Sequence, residues 1–297
     1  MILCDTHADT LYEIGVKLQQ KPKVTAQSLK TGKVSLQVLA LWTGPDDHQG
    51  NVQDIIAKEK SAFHLLLDQG FNHIKEPGKA EEGKLNLMLS IEGGEVFEGG
   101  VQTVRDYADI GVRMAAIVWN NLNALATPAK LNATDGLTDY GFAVVNEMQK
   151  YHMAVDVSHL NERGFNDLFL RTNAPPLASH SCCRSIYDHF RNLTDQQIRL
   201  LIQNGGYIGL NFYPAFLTGQ SASLYDIYHH IDYICQMGGA RHVGFGSDFD
   251  GIESTPEGLD SPADFPALID YFRSRGYSET DIEYIAGKNL VNYYARV

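Results

Sequence analysis

Short apolar runs alternate with longer amphipathic stretches along this chain. The runs are Ile2–Cys4, Val34–Leu41, Leu85–Ile91, Arg113–Val118, Met153–Val157, Pro176–Ser179, Tyr207–Asn211 and His242–Gly246. Runs this short and this apolar predict buried strands. Between them, Val52–Gln69 sets Ile55, Ile56, Phe63, Leu66 and Leu67 on one helical stripe with charges between. Gly141–Tyr151, Asp195–Asn204 and Leu224–Met237 repeat the pattern. Gly70, Gly205 and Gly238 follow such stretches, as glycines that end helices do. Strands alternating with helices predict a parallel sheet, and eight of them suggest closure into a (β/α)8 TIM barrel. An open doubly wound sheet would alternate in the same way; the placement of the polar residues favours the barrel.

Composition adds bounds to this picture. The 297 residues, 44% of them hydrophobic, suffice for a large core. No repeat, linker or low-complexity tract divides them, so residues 1–297 read as a single catalytic barrel domain. A formal net charge of -12 argues against nucleic acid or an anionic membrane surface as partner. No apolar run is long enough to span a bilayer, and no signal-peptide pattern is visible. Cys4, Cys182, Cys183 and Cys235 form no CxxC pair and read as free thiols of a reducing compartment. A cytoplasmic protein is expected.

The chemistry lies where the apolar runs end, which in a barrel is the active-site face. The first run leads into Asp5-Thr6-His7-Ala8-Asp9; positions i and i+2 of a strand share a face, so His7 and Asp9 can reach one metal. The third ends in Ser90-Ile91-Glu92-Gly93-Gly94, where two glycines let the chain turn directly after the carboxylate. The fifth ends in Asp156-Val157-Ser158-His159, the sixth in Ser179-His180-Ser181, and the eighth in Gly246-Ser247-Asp248-Phe249-Asp250-Gly251. A lone histidine is more often a packed residue than a ligand. Three histidines and two carboxylates at the ends of four strands are hard to ascribe to chance. Imidazole with carboxylate suits zinc, with iron, manganese or cobalt as other divalent options. Five ligands exceed the three that a catalytic zinc takes, and two metals sharing one carboxylate is the economical solution.

These residues resemble the membrane (renal) dipeptidase family of zinc peptidases, an amidohydrolase-like branch of the metal-dependent barrels. The resemblance runs from Asp5 to near the C-terminus. It rests on Asp5–Asp9, Ile91–Gly94, Asp156–His159, Ser179–Ser181, Arg191-Asn192, Asn211-Phe212-Tyr213 and Gly244–Gly251, in matching order and spacing. It implies that His7 and Asp9 bind one zinc, that His159 and His180 bind the other, and that Glu92 bridges them, with a hydroxide between the metals as nucleophile. It also implies that Arg191 holds the substrate's terminal carboxylate, that Asp248 orients the nucleophile and passes a proton to the leaving amine, and that Tyr213 lines the pocket. Without the family, Arg191 would read as a surface arginine, Tyr213 as core and Asp250 as a turn residue. Mammalian members carry a substrate-binding histidine where this chain has Trp119-Asn120-Asn121. Its role therefore does not carry over, and a metal, the Trp119 N–H or Asn120 takes part of it, or none is needed. The mammalian lipid anchor is not expected either.

The resemblance thus implies a zinc dipeptidase acting on dipeptides with a free C-terminal carboxylate, with tolerance for a D-residue there. Homodimers are frequent in the family. Another binuclear amidohydrolase, acting on a cyclic amide, lactone or phosphoester, and a catalytically silent metal-binding protein are the competing readings. His48, in the polar stretch Gly44–Gly50, is read as part of a mobile loop over the site. His64, His73, His152, His189, His229, His230 and His242 are read as structural.

Overall fold

The structure, a computed structural model, describes residues 1–44, 51–131, 133–172 and 176–297. The His48 loop reading falls, apart from Gly44, outside the described residues. Eight parallel strands close into a barrel: β1 (Cys4–Asp5), β2 (Leu36–Trp42), β3 (Asn86–Glu92), β4 (Val112–Ala116), β5 (Ala154–Asp156), β6 (Leu177–Ala178), β7 (Tyr207–Leu210) and β8 (Val243–Phe245). Each of the eight apolar runs supplies one of them. Leu36–Trp42 pairs in register with Asn86–Glu92, and closure falls on Asp5 opposite Phe245. A two-residue strand, Asn72–His73, lies beside the start of β3.

The helices form as the apolar stripes require. Val52–Asp68 is capped by Asn51, whose side chain accepts from Gln53 N, and it buries Ile55, Ile56, Ala62, Phe63 and Leu66 against the barrel. Asp139–Lys150, Glu162–Arg171, Asp195–Gln203, Leu224–Ile234 and Phe265–Ser274 come after β4 to β8 in turn. Gly70, Gly205 and Gly238 have φ of 94°, 74° and 94°, the left-handed conformation that glycine takes without penalty. Among the described residues no helix is long and apolar enough to cross a membrane.

The two strand faces separate the core. Leu39, Leu41, Leu87, Leu89 and Ile91 join the cluster under the helices. Leu36, Val38, Met88, Met114, Ala154, Leu177 and Tyr207 fill the barrel's lower interior, closed below by Leu290 and Tyr293 of the helix Asn289–Tyr294. Alternation continues upward on the inner face, placing Ser90 and Glu92 above Met88, and Asp156 above Ala154. Polar residues on that face can only sit at the upper end, where the apolar plug stops. The barrel is narrow there, and a Cβ on Gly246 would lie 1.8 Å from the Ser179 carbonyl oxygen.

Candidate metal centre

Five strand ends deliver the polar cluster. His7 and Asp9 leave β1, and the Asp248 backbone N–H after β8 donates to the His7 carbonyl at 3.1 Å. Glu92 ends β3; Gly93, at φ 102°, turns the chain away immediately after it. His159 lies just past β5 and His180 just past β6. All five residues the sequence assigns to metal binding, and Asp248 with them, are buried.

They converge on Glu92. Its Oε1 lies 2.8 Å from His159 Nε2 and 3.5 Å from His180 Nε2, and its Oε2 lies 3.6 Å from His7 Nε2. His159 Nε2 and His180 Nε2 are 3.0 Å apart. On the other side, His7 Nε2 is 3.4 Å from Asp9 Oδ2 and 3.8 Å from Asp248 Oδ1. Among the described residues two groups have potential ligand atoms mutually within 4.8 Å: His7 with Glu92 and His180, and His7 with Asp9 and Asp248. Asp248, expected as a proton carrier, thus also stands within reach of the ligands. Its Oδ2 accepts from Asn211 Nδ2 at 2.9 Å.

The electrostatics ask for cations. Burial alone would raise the Glu92 carboxyl, yet His7 and His159 beside it hold it well below the usual range. Burial would lower His7, but Glu92 and Asp9 push it well above its ordinary value. Burial, with Asp9 and Glu92 adding and His7 opposing, pushes Asp248 up to about 8. A histidine that three carboxyl groups approach within 3.8 Å marks a place that favours positive charge. His7 Nε2 and Asp9 Oδ1 are buried without a hydrogen-bond partner. These orphaned atoms, and the mixed nitrogen and oxygen donors around them, fit divalent metal.

A cavity of about 250 Å³ opens onto this cluster. Asp9, Glu92, His159 and Asp248 form its floor; Trp42, Trp119, Tyr213 and Phe216 stand among its walls. Trp119 packs edge-on against Trp42 at 4.9 Å. Arg191 is buried, donates from Nη2 to His159 Nε2 at 2.9 Å and keeps Nη1 without a partner. Its guanidinium lies 5.4 Å from the Phe216 ring. Asn120 Oδ1 lies 3.2 Å from His159 Nδ1. The Tyr213 hydroxyl donates to Glu253. All ten sequence-selected site residues therefore meet at one end of the barrel. Of the histidines read as structural, His189 lies beside the site, its Nδ1 accepting from Arg191 N at 3.2 Å and its ring 4.6 Å from that of Phe216, whereas His230 is buried elsewhere, with Nδ1 accepting from Cys183 N and Nε2 facing the Leu217 carbonyl.

A sequence profile described as membrane dipeptidase, peptidase family M19, matches residues 1–297. The chain belongs to the membrane dipeptidase family. It is 34% identical over 214 residues to the dipeptidase aclJ of Aspergillus oryzae, covering 70% of this chain and 51% of that protein. It is 33% identical over 215 residues to an uncharacterized dipeptidase of Schizosaccharomyces pombe, covering 71% and 53%. The chain thus spans about half the length of these curated relatives. A metallopeptidase of Rhodobacter sphaeroides, solved with a phosphinate mimic of the dipeptide L-Ala-D-Ala, superposes with a TM-score of 0.88 at 22% identity, covering 100% of this chain and 99% of that one. That likeness confirms the barrel.

In this membrane dipeptidase family member Asp250 is half-buried at the turn, and two buried acids, Asp5 and Glu59, were left without a role by the sequence. Asp250, at φ 67°, accepts from Thr10 Oγ1, Lys23 N and Val24 N and ties the 23–24 segment to the β8 end. Asp5 accepts from Ser247 N at 2.8 Å and Ser247 Oγ at 2.5 Å, bracing the end of β1 against the end of β8. Glu59 is fully buried behind the Trp42 wall, with Oε1 accepting from Trp42 N at 3.1 Å and Oε2 unpartnered. A charge four residues from both Ile55 and Phe63, on the apolar stripe, was the signal for it. Burial raises its pKa well above the usual carboxyl value, with Asp9 and Glu92 adding to the shift.

That shift predicts a pH-dependent gain from Glu59→Gln. The folded protein keeps the Glu59 proton to higher pH than the unfolded chain, which ionises it at about pH 4.3, so rising pH favours the unfolded state. Glutamine keeps the acceptor for Trp42 N and removes the titration. The variant is expected to melt about 2–4 °C above wild type at pH 8, on the order of 1 kcal/mol, and to converge on it near pH 4. Melting curves at the two pH values check this; a gain of equal size at both would refute the titration account.

Proposed function

We propose that this chain is a binuclear metallo-dipeptidase that hydrolyses the amide of a dipeptide bearing a free C-terminal carboxylate. One observation carries the reading: a buried guanidinium with an unpaired Nη1 stands beside a cluster of metal ligands at the foot of a small cavity. A planar guanidinium matches a carboxylate in bidentate fashion, and leaving it buried and unmatched is unfavourable. The cavity, about 250 Å³, suits a small molecule rather than a polypeptide. Two zinc ions, or other divalent metals, are the proposed cofactors, held by His7, Asp9, Glu92, His159 and His180. Bound there, they supply a water acidified to near neutrality and polarise the scissile carbonyl.

The chain's own residues do the rest. Arg191 anchors the substrate carboxylate and so fixes where the amide lies. Asp248 takes a proton from the attacking water and delivers it to the leaving nitrogen. Trp42, Trp119 and Phe216 exclude solvent from that transfer. Trp119 offers a single N–H donor and does not titrate near neutrality, so it serves as a wall and at most one hydrogen bond. Recognition through a carboxylate and metals, without a deep side-chain pocket, suits tolerance for a D-residue at the C-terminal position. The L-Ala-D-Ala mimic bound by the Rhodobacter sphaeroides metallopeptidase supports this. The reading includes a single catalytic domain in a reducing cytoplasm, which the four unpaired cysteines suit.

Zinc-loaded protein is expected to release alanine from L-Ala-L-Ala and L-Ala-D-Ala; no hydrolysis across a dipeptide panel would overturn the proposal. Arg191→Ala should raise KM for dipeptides about 30-fold or more while KM for a neutral lactone or phosphotriester stays unchanged. Equal effects on charged and neutral substrates would instead favour another amidohydrolase chemistry.

A further inference from the structure

The two histidines nearest Glu92 are each held by hydrogen bonds whose direction can be worked out. Asp156 is buried on the inner face of β5. Its Oδ1 accepts from Ser158 N at 3.0 Å, Ser158 Oγ at 2.6 Å and Ser179 N at 3.0 Å. Its Oδ2 accepts from Ser179 Oγ. A carboxylate only accepts, so the Ser179 hydroxyl proton points at Asp156. The Ser179 oxygen then offers only lone pairs to His180 Nδ1, 2.7 Å away, and His180 Nδ1 must carry the ring proton. Its Nε2, which faces Glu92, is left bare. Ser158 Oγ also accepts from His180 N at 3.1 Å, holding the backbone of the same residue.

His159 is settled from behind. Its Nε2 lies 2.9 Å from Arg191 Nη2, which only donates, and 2.8 Å from Glu92 Oε1, which only accepts, whereas Nδ1 faces an amide oxygen that only accepts and so carries the ring proton. The acceptor for it is Asn120 Oδ1 at 3.2 Å. Two bare nitrogens 3.0 Å apart, one of them 2.8 Å from a carboxylate oxygen, repel each other unless a cation lies among them.

We propose that the Asp156–Ser179 relay and Asn120 are positioning elements that lock His180 and His159 in the Nδ1–H tautomer, so that both present a bare Nε2 to a metal shared with Glu92. Asn120 acts through His159 rather than by touching substrate. This rests on the two-metal reading above. Among the described residues neither element hydrogen-bonds His7 or Asp9, so their loss should weaken one metal position and spare the other.

The test is zinc titration of the chelator-stripped protein against a competing chromophoric chelator, with circular dichroism and melting of the metal-free forms. Wild type should take up two equivalents; uptake of fewer sinks the two-metal reading itself. Ser179→Ala and Asn120→Leu should each weaken one equivalent about 10–100-fold and leave the other unchanged, with metal-free melting curves like wild type. Asn120→Asp, which keeps the acceptor, should restore the weakened equivalent. If Ser179→Ala does not fold, the two Asn120 variants decide alone. Variants that match wild type in both equivalents, an equal loss at both, or an Asn120→Asp as weak as Asn120→Leu would overturn the tautomer proposal.

Discussion

Glu92→Gln is expected to lower dipeptide hydrolysis by ~10³-fold or more and to strip most of the zinc. Glu92 faces both sides of the cluster, with one oxygen toward His159 and His180 and the other toward His7. Glutamine is nearly isosteric, but it removes the negative charge and turns one of those oxygens into an N–H2 donor that cannot ligate. The fold should tolerate the change, because the amide occupies the same volume. Zinc content by elemental analysis, kcat/KM and a melting curve distinguish the outcomes. A variant that keeps two equivalents and activity within tenfold of wild type would sink the bridging role.

Asp248→Asn is expected to lower kcat by about 10²–10⁴-fold, the range for a group that transfers protons in the transition state. KM should change little, because Arg191 and the aromatic walls remain. Asparagine keeps the shape and can still face Asn211, but it neither takes a proton from water nor gives one to an amine. The geometry leaves a sharp alternative, since Asp248 Oδ1 lies 3.8 Å from His7 Nε2 within one of the ligand groups. Zinc content separates the two: retained metal with low kcat marks a proton carrier, whereas loss of one equivalent marks a ligand and defeats the proton-transfer assignment.

The fold was legible because its signals are local. Each apolar run became a barrel strand, and the proposed ligands fell at strand ends because the chain must turn polar where the barrel's apolar plug stops. The family resemblance singled out Arg191, which composition and periodicity would have left on the surface; the structure buries it beside His159. Glu59, Asp5 and Asp156 went unassigned for the opposite reason. Each sits in an apolar or motif context, and its meaning lies in partners far away in sequence.

What the sequence determined by itself is therefore the order of strands and helices, the inner and outer faces of each strand, and the residue types at the upper rim. Those come from periods of two and 3.6 residues, which any short window contains. Only the tertiary structure decided which rim residues meet. Asp5 braces Ser247 across 242 positions of chain, and Glu92 stands between His7 and His159 because β1, β3 and β5 open onto one rim. Barrel closure makes those encounters: it pairs the first strand with the last, and no local pattern records which residues it brings together.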